Sequence, residues 1–262
     1  MSDRGGGESP APDELPFAAP CRRLGIGAPL EWLRLGWADL RAAPRQSLCY
    51  GVVMLLLSHV ITAATWLFGN IGLYLGLVSG FVFVGPWLAL TLYSISRRLE
   101  EGRRVSLGRS MGDAARAVGN ALVFAVILTV VFLVWARAAT MVHVFFPPTE
   151  QPSWADLAPF LAVGTALGAL FSAIVFAASA FSLPMLMDRR TDTVTAVVTS
   201  VNAVLRNKGA MAVWAAIIVG CVLLGAITAW LAFVALLPLI GHATWHAYRS
   251  TIDASQWPAL EV

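Results

Sequence analysis

Charge is scarce in these 262 residues, at 13%, and no Asp or Glu lies within any long apolar run. That removes the intramembrane carboxylate on which a proton-coupled pump depends. Cysteine is equally sparse: Cys21, Cys49 and Cys221 stand far apart with no CxxC pair, which excludes a zinc knuckle or a disulfide framework. Neither a P-loop nor a Rossmann glycine fingerprint occurs. Gly76-Leu-Val-Ser79-Gly80 falls one residue out of register with the serine motif of intramembrane proteases. No catalytic constellation is legible, so nothing assigns the chain an enzymatic activity.

What is present is oil. Hydrophobic residues make up 58% of the chain, and the charges gather between long apolar runs instead of interrupting them. Such runs cannot stay exposed to water, so the composition predicts an all-α polytopic membrane protein whose first partner is the lipid bilayer. The net charge of +3 sits beside those runs and gives no nucleic-acid signal. The expected spans are 48–68, 71–95, 120–142, 159–187, 210–227 and 229–248. The first holds 21 uncharged residues and covers roughly 31 Å, close to the hydrocarbon thickness. Residues 210–248 carry no acid, Lys or Arg; a single helix of that length would reach about 58 Å, so a turn is expected around Gly225–Thr228. Residues 1–25, with three consecutive glycines and several prolines, read as a disordered tail; 26–252 form the membrane domain and 253–262 a second tail.

An amphipathic stretch precedes each pair of spans. Leu30, Leu33, Trp37 and Leu40 share one helical face, opposite Glu31, Arg34 and Arg41. Leu107, Met111, Ala114, Ala115 and Val118 form a second stripe after a Ser106 cap, and Val194, Val197, Val198, Val201 and Leu205 a third after Asp192. Each stretch ends on a similar junction: Arg41-Ala-Ala-Pro44, Arg116-Ala-Val-Gly119 and Arg206-Asn-Lys-Gly209. The order predicts three hairpins, each entered through a helix lying in the headgroup plane: a pseudo-threefold repeat. All 18 basic residues except Arg137 lie in the tails or in the segments after the second and fourth spans. The positive-inside rule then places both termini in the cytoplasm and the Pro-rich loop 147–156 outside.

Few polar residues remain to carry chemistry. Arg137, buried in the third run, is expected near the outer interface, snorkelling towards Glu150 or Asp156 or forming an anion site. His59 lies near mid-membrane. His242 and His246, four apart on one helix face, are the candidate metal pair; both rings project the same way, so they cannot ligate one haem from opposite sides. The alternative is structural, with His242 bonded to a neighbouring helix. Gly72, Gly76 and Gly80, and Gly164 with Gly168, form small-residue stripes suited to close helix packing.

Several segments together resemble a known family: Gly36-Trp-Ala-Asp-Leu-Arg-Ala-Ala-Pro44, Ser47-Leu-Cys-Tyr-Gly51, Val84-Gly-Pro86, Ser96-Arg-Arg-Leu-Glu100, Val163-Gly-Thr-Ala-Leu-Gly168, Asp192-Thr-Val-Thr-Ala196 and Pro238-Leu-Ile-Gly-His-Ala-Thr-Trp-His-Ala-Tyr-Arg249. They are similar to a bacterial family of six-helix integral membrane proteins of unknown function, some of whose members carry a cytochrome c oxidase label. The resemblance implies a bacterial inner-membrane protein. The chain lacks the several intramembrane histidines of a haem-copper centre, so any oxidase link implies a non-enzymatic subunit or an assembly factor of a membrane complex. A passive small-solute transporter or channel is the alternative reading, and a metal- or haem-binding redox protein the third. No cofactor is predicted from the residues themselves.

Overall fold

The computed structural model describes residues 16–69, 71–146 and 153–261, and within these the side chains of all but residues 71–76, 78–84, 143 and 156. Among the described residues the chain forms nine helices and no strand. They are α1 (Ala28–Ala42), α2 (Pro44–Phe68), α3 (Ile71–Glu100), α4 (Leu107–Phe145), α5 (Trp154–Ser179), α6 (Ser182–Asp188), α7 (Thr193–Arg206), α8 (Lys208–Ile227) and α9 (Phe233–Thr251). Among the described residues four stretches are long and apolar enough to cross a bilayer: α2, the bulk of α4, the α5–α6 run and α8.

The boundaries follow local chemistry. Pro44 cannot continue α1, since it has no N–H and its ring clashes with the preceding turn, but it is well placed at the first position of α2. Gly69 ends α2 in the left-handed conformation, φ 54°, with its N–H on the Thr65 carbonyl. Ser106 and Asp192 cap α4 and α7 as expected, each accepting from the backbone N–H three residues on. The apolar run 210–248 is broken into α8 and α9 at residues 228–232, where Ala229 and Trp230 both take positive φ.

Three boundaries differ from expectation. The stretch 107–118 is not a separate helix; it runs into the apolar segment as one 39-residue α4. A mid-helix glycine such as Gly119 costs only about 1 kcal/mol, whereas proline at the equivalent junction forces a break. The run 159–187 splits instead of forming one rod. Phe181 turns its N–H to the Ser200 hydroxyl, and α6 begins, fully buried, at Ser182. Residues 16–25 are not a free tail. Ala19 is buried with its N–H on the Thr199 hydroxyl, Arg22 bonds the Thr251 carbonyl, and Leu24 and Arg22 are both held by the Asn207 amide. The C-terminal stretch also packs, through buried Trp257 and the Arg190–Pro258 and Leu260–Asp188 backbone bonds.

The buried face of each amphipathic stretch is turned away from the centre of its apolar stripe, most of all in α7, while Leu40 of α1 and Ala114 of α4 belong to both. In α1 the buried residues are Pro29, Trp32, Gly36 and Leu40, while Leu30 and Trp37 face outward. At the start of α4 Ser110, Asp113, Ala114 and Ala117 are buried and Met111 is exposed. In α7 Thr195, Ala196, Thr199, Ser200 and Ala203 face inward, and Val194 and Leu205 outward. Small and hydroxyl side chains let helices approach and bond one another, while large aliphatics lose nothing by facing lipid. In α7 the small and hydroxyl face is therefore the packed one.

Helix α9 lies at the centre of the closest packing. A methyl group added at Gly36 of α1 would stand 2.7 Å from the Ala243 nitrogen; one at Gly51 of α2, 2.0 Å from the Val234 carbonyl oxygen; and one at Gly241 of α9, 2.5 Å from Leu92 of α3. By contrast, methyl groups at Gly164 and Gly168 would meet nothing within 4 Å, so this expected packing stripe touches no helix of its own chain. The side chains around Gly72, Gly76 and Gly80 lie outside the described residues. The hairpins are not equivalent in packing: among the described residues α9 is enclosed by α1, α2 and α3, whereas the close neighbours of α5 are α4, α6 and α7.

A substitution pair measures this contrast. Gly51→Ala forces backbone apart and is expected to destabilise the protein by about 2 kcal/mol or more, read as a lower melting temperature in detergent. Gly168→Ala is expected to leave melting unchanged or raise it by up to about 1 kcal/mol; equal losses would mean that α2 and α9 are not in contact at Gly51.

Candidate functional site

The densest polar chemistry lies on the second half of α9. His242, Trp245, His246, Tyr248 and Arg249 fan over roughly 160° of the helix at 100° per residue, so each reaches a different neighbour. His242 is 0% exposed. Its Nε2 lies 2.8 Å from the Ser47 hydroxyl of α2 and its Nδ1 2.7 Å from the Ser96 hydroxyl of α3. Ser47 donates its proton to the Ala43 carbonyl at 2.9 Å, so it accepts from Nε2–H and Ser96 donates to Nδ1. This pattern satisfies every donor with a neutral ring. His246, one turn on, places Nε2 at 2.9 Å from the Asp39 carboxylate of α1.

The same edge continues towards the charged end of the bundle. Trp245 donates its indole N–H to Glu100 at 2.9 Å, and Arg249 donates to the other oxygen of that carboxylate at 3.1 Å. Tyr248 donates to Asp188 of α6 at 2.8 Å, and Arg189 grips that carboxylate at 3.0 Å. Trp32 closes the ring from α1, donating to Ser250 at 2.9 Å, with its ring nearly perpendicular to that of Trp214, centroids 5.5 Å apart. Helices α1, α2, α3 and α6 are thus all tied to one helix by side-chain bonds.

A second cluster was hidden in a stretch that reads as solvent-facing. Arg98 is 6% exposed and Asp113 4% exposed. The pair is bidentate, at 2.6 and 2.8 Å, and Ser94 donates to the same carboxylate at 2.6 Å. Arg97, also buried, donates to the carbonyls of Met187 and Leu260 and pairs with Glu101. The available signal was the small-residue stripe Ser110, Ala114, Ala117 beside Asp113, which marks the packed face of α4. Stranding one partner of such a buried pair costs about 3–5 kcal/mol.

The remaining candidates lie apart from these clusters. His59 is exposed on α2 and gives its ring Nδ1 proton to the Leu55 carbonyl of its own helix at 3.0 Å. Arg137 is exposed on α4 beside an apolar groove lined by Val130, Leu133, Val134 and Ala138. Its expected partners, Glu150 and the Asp156 side chain, lie outside the described residues. Arg116 stands 21 residues earlier on α4, about 31 Å along the axis, and the outward residues between the two include Val123, Val126, Val130 and Leu133. Two arginines therefore bracket a lipid-facing stripe of membrane thickness. As for metal binding, both ring nitrogens of His242 are engaged by serines, so an ion shared with His246 would have to displace one of them. Among the described residues no three His, Cys, Asp or Glu side chains stand together as a metal site.

Replacing His242 with Leu should leave the Ser96 hydroxyl without its partner and cost about 2–4 kcal/mol, seen as a large drop in melting temperature. His246→Gln, which keeps a donor towards Asp39, should cost less than about 1 kcal/mol. Equal losses from the two would refute the central position of His242.

No curated protein and no solved structure matches the chain. The family resemblance drawn from the residues extends to Arg249, but the region that a family model recognises stops at the end of α6, leaving the α9 motif outside it. Residues 73–188, from α3 to the end of α6, match the family described as "Predicted integral membrane protein (DUF2189)", a domain of unknown function in a membrane protein family.

Proposed function

We propose that the chain is a six-span protein of the bacterial inner membrane, with both termini in the cytoplasm, acting as a non-enzymatic subunit or assembly factor of a membrane complex, a respiratory oxidase among the candidates. The spans are α2, α3, α4, the α5–α6 run, α8 and α9. Support comes from the apolar length of four of them, from the turn that divides 210–248 into two helices, and from the basic residues gathered at one end.

The observation that carries the functional reading is the fate of the polar side chains. His242, Trp245, His246, Tyr248 and Arg249 are all bonded to other helices of the same chain, which is what a scaffold requires. Outside this core, the α4–α5–α8 flank leaves Val126, Val130, Leu161, Leu170, Ile174 and Val219 facing outward, with the unfilled Gly164 and Gly168 among them. A cleft of about 570 Å³ between α4 and α5 is lined by Leu128, Phe132, Trp135, Phe171 and Phe176, with Ser172 and Ser179 its hydroxyls. A lining so apolar favours a packed helix over a hydrated solute path.

Purification in a mild detergent is expected to recover a stoichiometric membrane partner. Gly168→Leu should remove that partner without lowering the melting temperature of the isolated chain, because nothing stands near its Cβ. A clean, partnerless monomer would overturn the reading. Metal analysis and an absorption spectrum decide the redox alternative, with neither stoichiometric metal nor haem bands expected; either one would replace the scaffold role with a redox one.

A further inference from the structure

A cavity of about 770 Å³ opens where α4 enters its apolar run and α6 leaves it. Arg116, Arg189 and Arg190 line it, together with Asn120, Thr191 and Asp192. Their engagements differ. Arg189 is committed, with one nitrogen on Asp188 and another on the Trp257 carbonyl. Arg116 and Arg190 instead converge on Glu261: Arg116 donates to its backbone carbonyl at 2.8 Å, and Arg190 stands 3.4 Å from its carboxylate. That last pair is loose, with the Arg190 and Glu261 side chains 58% and 85% exposed.

The other polar atoms fit an anion. Asn120 donates to the Thr191 carbonyl at 2.9 Å, fixing that residue, and the Thr191 hydroxyl is buried with no hydrogen-bond partner among the described residues. Asp192 is the opposing charge. Burial alone would raise its carboxyl, but the Thr195 N–H and hydroxyl bond it at 2.9 and 2.6 Å and hold it below the usual carboxylate range, so its charge is spent on the start of α7.

We propose that this cavity binds a phosphate group between Arg116 and Arg190, and that Glu261, with its backbone carbonyl on Arg116 and its carboxylate beside Arg190, occupies the phosphate's place when none is bound. Two forked guanidiniums suit the several oxygens of a phosphate better than the single loose carboxylate contact. The phosphate belongs either to a glycerophospholipid headgroup or to a soluble phosphate monoester. Position points to the lipid: from Asn120 onward the outward stripe Val123, Val126, Val130 offers a track for an acyl chain below the headgroup. This source rests on the membrane placement proposed above.

The test uses the full-length protein in a neutral maltoside detergent, with binding read by native mass spectrometry. The probes are phosphatidylglycerol, diacylglycerol of the same chains, and sn-glycerol 1-phosphate. Phosphatidylglycerol should bind and diacylglycerol should not. The Arg116→Ala/Arg190→Ala double variant should lose affinity by about tenfold or more, as expected for two charge-assisted contacts. Glu261→Gln should bind more tightly than the parent, and Arg34→Gln, on the exposed face of α1, should bind as the parent does. Equal binding of glycerol phosphate and lipid, with the same arginine dependence, assigns the site to a soluble ligand; binding of the lipid alone assigns it to a headgroup. The proposal is overturned if the double variant keeps its affinity, if Glu261→Gln weakens binding, or if Arg34→Gln is as damaging as the double variant. Recovery of each variant in the membrane fraction is scored separately, so a failed site and a failed membrane placement give different results.

Discussion

The imidazole of His242, wedged between two serine hydroxyls, is the contact on which the rest of the bundle depends. In an apolar interior a polar ring must find partners or cost several kcal/mol, and here both partners come from other helices, Ser47 on α2 and Ser96 on α3. Both bonds sit beside close approaches of the helices, at Gly51 for α2 and at Gly241 for α3. Gly36, Gly51 and Gly241 remove the side chains that would hold them apart. Hydrogen bonding and close approach are therefore one constraint: the glycines permit the contact and the histidine selects it. Trp245, His246, Tyr248 and Arg249 extend the same arrangement towards the charged end, where Glu100, Asp39 and Asp188 receive them.

Much of the element order could be read from the residues, because it depends on local chemistry. Pro44 ends one helix and starts the next, Gly69 turns the chain, Ser106 and Asp192 cap, and an uncharged run too long for one crossing is broken near its middle. The faces were another matter. In water the aliphatic stripe of an amphipathic helix turns inward; here Val194, Leu205, Met111 and Leu30 turn outward while threonine, serine, alanine and glycine pack. Periodicity finds the stripe, and only the solvent decides its direction. The same reversal concealed the Arg98–Asp113 pair, since a charged residue beside a stripe of alanines reads as a wet face until the alanines are seen to be the packed ones.

The glycine ladders show the limit from the other side. Spacing by four marks Gly164 and Gly168 as well as it would mark any packed pair, yet the close approaches among the described residues include Gly36, Gly51, Gly225 and Gly241, which form no ladder. A ladder states what a helix could admit and names no occupant. The two tails were illegible for a related reason. Without periodicity they look unstructured, but their backbone groups are claimed by distant side chains such as Thr199 and Asn207, and by each other at Cys21 and Ile252.

The place of α9 in the chain also bears on biosynthesis. Its partners α1, α2, α3 and α6 all leave the ribosome earlier, and their hydroxyls and carboxylates at positions 47, 96, 100 and 188 have no α9 partner until it emerges. The contacts that join α1, α2, α3 and α6 through α9 can therefore form only after the last of these helices has been made, which makes them the latest side-chain contacts of the bundle to close.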